Sequence, residues 1–149
     1  SHADLESLVQ PVAAGKADYV KGNRFLNGFP RQMPLLRLAG NVGLSLLSKP
    51  VTGYWRIFDS QCGYTAIRGE TLAQIAPESI WRGYGAPNDI LVRLWEIGAR
   101  VEERPVLCLY PPRHSQMRMG RVALALPWLL VRLFARRMSR KLKRMSNDE

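Results

Sequence analysis

Asp59 is the only carboxylate between Asp18 and Glu70, in a stretch that carries Lys21, Arg24, Arg31, Arg37, Lys49 and Arg56. That isolation invites a functional reading, beside the plainer one in which Asp59 caps a turn or pairs with Arg56. Arg24 follows Gly22-Asn23, a pair that permits positive φ and leaves backbone N–H groups free to face an anion, so it is either a phosphate ligand or a surface charge. Arg37, Asn41 and Ser45 recur at i, i+4 and i+8, one polar stripe on a helix that is otherwise apolar. The stripe is either the wet side of that helix or a groove suited to a phosphate headgroup. Asp89 is a first-turn acid favoured by a helix dipole, or else a second acid for catalysis.

Other chemistries find no support. The sequence has no G-x-G-x-x-G, H-E-x-x-H, C-x-x-C or G-x-S-x-G, so nucleophilic and metal-hydrolase readings have nothing to stand on. Cys62 and Cys108 each sit in an apolar run and read as small buried hydrophobes in a reducing compartment. No apolar run reaches the roughly 18–20 residues of a spanning helix.

The elements that must position these residues follow from periodicity. Leu5, Leu8, Val9 and Val12 predict an amphipathic helix over 4–14, stopped or bent by Pro11 and Gly15. Residues 17–20 read as a strand and 21–25 as a turn, with a breaker-rich loop over 27–34 and the striped helix over 35–47. Asp59 stands in a loop that enters a strand, with Gly63 inside the apolar run where a bulge or a close ligand would call for it. A short helix over 69–75 precedes a glycine- and aromatic-rich loop over 80–88. Asn88 is then expected to N-cap a helix through Ile97. Residues 101–110 predict a strand interrupted by Pro105, so that at least part of it lies at an edge or a bulge. This order of elements is α/β.

A chain of 149 residues fits one domain. The net charge of +10 is uneven: half of the 22 Lys and Arg lie between Arg104 and Arg144, with no acid before Asp148. Such a segment seeks a polyanion. Within it the apolar run Val122 to Val131 precedes Arg132, Arg136, Arg137, Arg140, Lys141, Lys143 and Arg144. That is the make-up of a helix lying on an anionic membrane surface, with a partner helix as the next reading and nucleic acid the weakest. Residues 1–116 are therefore read as the globular part and 117–149 as a basic amphipathic helix and tail.

Five blocks in order carry a resemblance. They are residues 17–25, the helix with Arg37 and Gly40-Asn41, residues 55–68, Tyr84-Gly85 with Asn88-Asp89-Ile90-Leu91, and residues 100–106. Together they resemble the second half of family 2 glycosyltransferases, most of all bacterial relatives of dolichyl-phosphate mannosyltransferase and other polyprenyl-phosphate sugar transferases, over about residues 4–135. The resemblance implies the C-terminal portion of a GT-A type fold and inverting transfer from a nucleotide-sugar donor to a lipid-phosphate acceptor. It also implies a peripheral place on the cytoplasmic face of the membrane. Asp59 matches the acid near the transfer site, with Asp89 as the second candidate. Arg24 and Arg37 match arginines that face the lipid phosphate, Asn41 falls where some relatives carry serine, and Gln61 lies in the Asp59 block. Arg113 and Ser115 resemble a basic loop near the phosphates, although Pro111-Pro112 departs from the mannosyltransferase form. In that family Mg²⁺ or Mn²⁺ and the nucleotide are held by an N-terminal half with an Asp-x-Asp motif, which does not occur in this sequence. The rival expectation is a non-catalytic membrane-surface module derived from such an enzyme. Replacing Asp59 by Asn is expected to leave folding little changed.

Overall fold

The computed structural model describes residues 2–26, 35–107 and 119–147. Among these the order is α1 (His2–Ala13), β1 (Tyr19–Asn23), α2 (Leu35–Thr52), β2 (Thr65–Ile67), α3 (Gly69–Gln74), a 3₁₀ turn (Pro77–Ser79), α4 (Ala86–Glu96), β3 (Val101–Pro105) and α5 (Met119–Asn147). The mixed α/β reading holds. The described strands form a sheet in the order β2-β1-β3, with β1 antiparallel to β2 and parallel to β3.

All five residues of β1 are buried, because the strand is covered on both faces. Val20 packs with Leu8 of α1, Ala17, Cys62 and Val106. Tyr19, pointing the other way, packs with Leu91 and Leu94 of α4, Ile57 and Ile75. The expected turn at 21–25 is thus corrected: Lys21, Gly22 and Asn23 continue the strand, paired in register with Glu103, Arg104 and Pro105. Glycine is required there for a different reason. A Cβ on Gly22 would stand 2.9 Å from the Tyr64 carbonyl oxygen and from Val106 Cγ2. Pro105 ends β3, an edge strand among those described, as proline demands. Gly63 lies before β2 rather than inside it, and a Cβ there would meet nothing within 4 Å.

Helix α2 departs from the reading in which the polar stripe is its wet side: of that stripe Ser45 is buried and Asn41 half-buried. Its small polar residues face inward, Ser45, Ser48 and Thr52 being at most 3% exposed, while Leu35, Leu46 and Leu47 are exposed. Side-chain hydrogen bonds explain the inversion. Ser48 donates to the Leu44 carbonyl or Asn88, and Thr52 donates to the Ser48 carbonyl, so the hydroxyls enter the interior satisfied.

Helix α5 is not held off the protein by its charge. Leu129, Leu130 and Leu133 are buried against Val51 of α2 and Val92 of α4, where each leucine contributes on the order of 1.5–3 kcal/mol. Gly85 admits this approach: a Cβ there would fall 1.8 Å from Leu129 Cδ2. Arg136 binds Glu96 at 2.7 and 2.6 Å, and Arg144 reaches the Glu96 carbonyl. No described helix is long and apolar enough to cross a membrane.

Candidate functional site

The carboxyl ends of the parallel pair β1 and β3 meet the loop that carries Asp59, a usual place for a site in an α/β sheet. Asp59 is fully buried, and its partner is Arg24, not Arg56. Arg24 donates from Nε to Oδ2 and from Nη2 to Oδ1, both at 2.7 Å, and its backbone N–H adds a bond to Oδ2 at 3.0 Å. Two candidates read separately from the sequence are one bidentate pair.

Two buried side chains, Lys21 and Cys62, and the half-buried Glu103 surround the pair. Lys21, 0% exposed, donates to the Cys62 carbonyl at 2.6 Å and so ties β1 to the loop behind Asp59. Burial pulls its ammonium down to about 8, opposed by the nearby Asp59 and Glu103. Glu103 Oε1 accepts the N–H groups of Phe58 and Asp59 at 2.9 and 2.8 Å, and its Oε2 accepts Asn23 Nδ2 at 2.7 Å. Burial nevertheless pushes the Glu103 carboxyl above its ordinary value. Burial likewise pushes up the Cys62 thiol, so it is no thiolate nucleophile at neutral pH.

Gln61, next along the loop, binds the Ser60 hydroxyl at 3.1 Å and lines an open cleft of ≈ 300 Å³ with Gly83, Tyr84 and Pro87. Helix α2 spans from this loop to α4. Its Ser45 hydroxyl meets Ser60 at 3.3 Å, and three residues on Ser48 bonds Asn88 at 2.7 Å. Asn88 is therefore not the N-cap, which falls to Gly85; its side chain is fully buried against α2 instead. Asp89 accepts the Trp81 N–H at 2.8 Å and Arg93 Nε at 3.1 Å, with Arg136 at 3.9 Å. It fixes the loop leading to Tyr84 onto α4.

No protein-family profile matches the sequence. Over 110 residues, 72% of this chain and 43% of the relative, it is 27% identical to the UDP-N-acetylglucosamine–dolichyl-phosphate N-acetylglucosaminyltransferase of Methanococcus voltae. The chain is similar to a glycosyltransferase. An uncharacterized protein of Methanocaldococcus jannaschii is also 27% identical, over 108 residues, 72% of this chain and 44% of that protein. The chain thus spans less than half the length of these curated relatives.

For a glycosyltransferase-like chain the structure groups the candidates unevenly. Arg24, Asp59 and Gln61 lie together, and Asp89 stands at the far end of the Ser45–Ser48 bridge. Asn41 is half-buried on α2. Arg37 starts the same helix, but its side chain, like all of Arg113 and Ser115, lies outside the described residues. Among the described residues no three His, Cys, Asp or Glu come together to hold a metal ion. The Asp59 oxygens, taken by Arg24, do not fit one either.

Lys21 and Glu103 were not legible as site residues. For Lys21 the Gly22-Asn23 pair outweighed the strand signal. For Glu103 a signal existed: consecutive Glu102 and Glu103 on one strand must point to opposite faces, so one of them turns inward.

Proposed function

We propose that the chain forms the second half of a family 2, GT-A type glycosyltransferase. Such an enzyme moves a sugar, with inversion, from a nucleotide-sugar to a polyprenyl phosphate at the cytoplasmic face of a membrane. The observation that carries this reading is the buried Arg24–Asp59 pair at the carboxyl ends of β1 and β3, beside the Gln61–Tyr84 cleft, in a chain similar to a dolichyl-phosphate sugar transferase. Both Asp59 oxygens are engaged by Arg24, which argues against a free general base. A phosphate acceptor needs none, because it is already ionised at neutral pH; Asp59 instead orients Arg24 and the loop toward the sugar and phosphate. Nucleotide and Mg²⁺ or Mn²⁺ would be held by an Asp-x-Asp half preceding these residues.

Helix α5 supports the membrane part of the reading. Outside its buried leucines it exposes Trp128, Val131, Leu142 and Met145 together with Arg132, Arg140, Lys141 and Lys143, an apolar and cationic surface suited to anionic lipid. The test is transfer from UDP- and GDP-sugars to a polyprenyl phosphate. The full-length protein should transfer with metal, the 149-residue chain alone should not, and the anomeric configuration should invert. Lipid-independent hydrolysis alone, or failure with every donor, would overturn the proposal.

A further inference from the structure

Glu103 sits between the two halves of the Arg24–Asp59 pair without touching either side chain. On one side its Oε1 accepts two successive loop N–H groups, those of Phe58 and Asp59. On the other, its Oε2 accepts Asn23 Nδ2, and Asn23 Oδ1 accepts the Phe25 N–H at 2.7 Å. One carboxylate thereby fixes the backbone at 58–59 directly and at 23–25 through Asn23, the two segments from which Asp59 and Arg24 project. Its own base is firm, because Glu103 is paired in register with Lys21 inside the sheet.

A half-buried carboxylate is a costly way to fasten a loop, since its charge is taken partly out of water. Glu102, next to it, pairs with Arg104 at the surface. Charge at 103 has a use that shape alone lacks: it holds two amides and one side-chain donor in fixed directions, a preorganised mount for a bidentate pair.

We infer that Glu103 is the positioning residue of this site, setting the Asp59 loop and the end of β1 so that Arg24 and Asp59 meet the substrate together while Glu103 itself contacts none. The catalytic consequence rests on the glycosyltransferase reading; the clamp does not.

The test is a polarity swap in the full-length protein. Glu103→Gln alone sets an amide NH₂ against Asn23 Nδ2, and Asn23→Asp alone sets carboxylate against carboxylate. The double variant Asn23→Asp with Glu103→Gln reverses the hydrogen bond and keeps the net charge. Each single change should lower kcat by about 100-fold, the loss typical of small misplacement, with a smaller change in KM for the nucleotide-sugar. The double variant should recover at least about tenfold, which is roughly one restored hydrogen bond. Unchanged kcat in the single variants, or a double variant as impaired as the two losses multiplied, would overturn the inference. Amide exchange needs no turnover and separates the clamp from the reaction. In Glu103→Ala the Phe58 and Asp59 amides should exchange faster while that of Leu91 in α4 holds. If the full-length protein proves inactive with every donor, the function reading fails and this exchange pattern alone decides the clamp; unchanged exchange at Phe58 and Asp59 rules it out.

Discussion

Arg24 and Asp59 hold each other through two 2.7 Å bonds, Nε to Oδ2 and Nη2 to Oδ1, with Asp59 wholly buried and the Arg24 side chain only 9% exposed. A charge pair so placed is coupled to the fold as well as to the site, because neither partner can turn to water when the other is lost.

Asp59→Asn should therefore destabilise the protein, against the expectation that it would leave folding intact. Stranding Arg24 should cost about 3–5 kcal/mol, read by chemical denaturation. Adding Arg24→Gln should return part of that loss. Per folded molecule, transfer should still fall by roughly 10²–10⁴. A variant within about 1 kcal/mol of wild type would show the pair to be unformed in solution.

Lys21 gives the protein a signature in alkali. Its native value of about 8 lies below the 10.5 of free lysine, so between those limits the unfolded chain binds more protons than the folded one. Stability accordingly rises with pH across that window, by up to about 3 kcal/mol. Cys62, Tyr19 and Tyr54, all pushed up by burial, act in the opposite sense, Cys62 from about pH 9 and the tyrosines above pH 10, so the comparison belongs below pH 9. Lys21→Met should flatten the rise between pH 8 and 9. A wild-type curve as flat as that of the variant would mean that Lys21 titrates normally.

Two kinds of change in α5 should separate. Leu133→Ala opens the core shared with Val51 and Val92 and should cost about 2–5 kcal/mol. Lys141→Gln with Lys143→Gln alters exposed residues, and should leave the melting temperature alone while weakening sedimentation with anionic vesicles several-fold. Salt should weaken the same binding without abolishing it. Ending the chain at Gly120 confuses the two effects, since it also strips the core. Equal binding to neutral and anionic vesicles would count against a lipid-facing α5.

Gly85→Ala should push Leu129, and α5 with it, away from the cleft loop. A backbone atom carries the new methyl into a packed side chain, an overpacking worth about 1–3 kcal/mol. Trp81 and Trp128, with ring centroids 6.1 Å apart across this contact, should report the shift as a change in tryptophan fluorescence. An unchanged spectrum with unchanged stability would place α5 elsewhere in solution.

The sequence by itself determined the α/β order, the helices at 69–75 and at the basic end, the confinement of Pro105 to an edge or bulge, met by a strand at the edge of the described sheet, and the singularity of Asp59. Periodicity and proline act within a few residues, so these features are readable locally. It did not determine which side of α2 faces inward. A narrow polar stripe on an apolar helix suits water or a satisfied interior equally, and only Ser60 and Asn88, distant in sequence, supply the partners that turn Ser45 and Ser48 inward. The same holds for the acids. Asp59 acquires Arg24, thirty-five residues away, and Glu103 acquires the Asp59 loop, because the parallel pairing of β1 with β3 brings those strand ends together. Charge was legible one residue at a time, but burial and partnership were decided by packing and by the crossover, which no local pattern encodes.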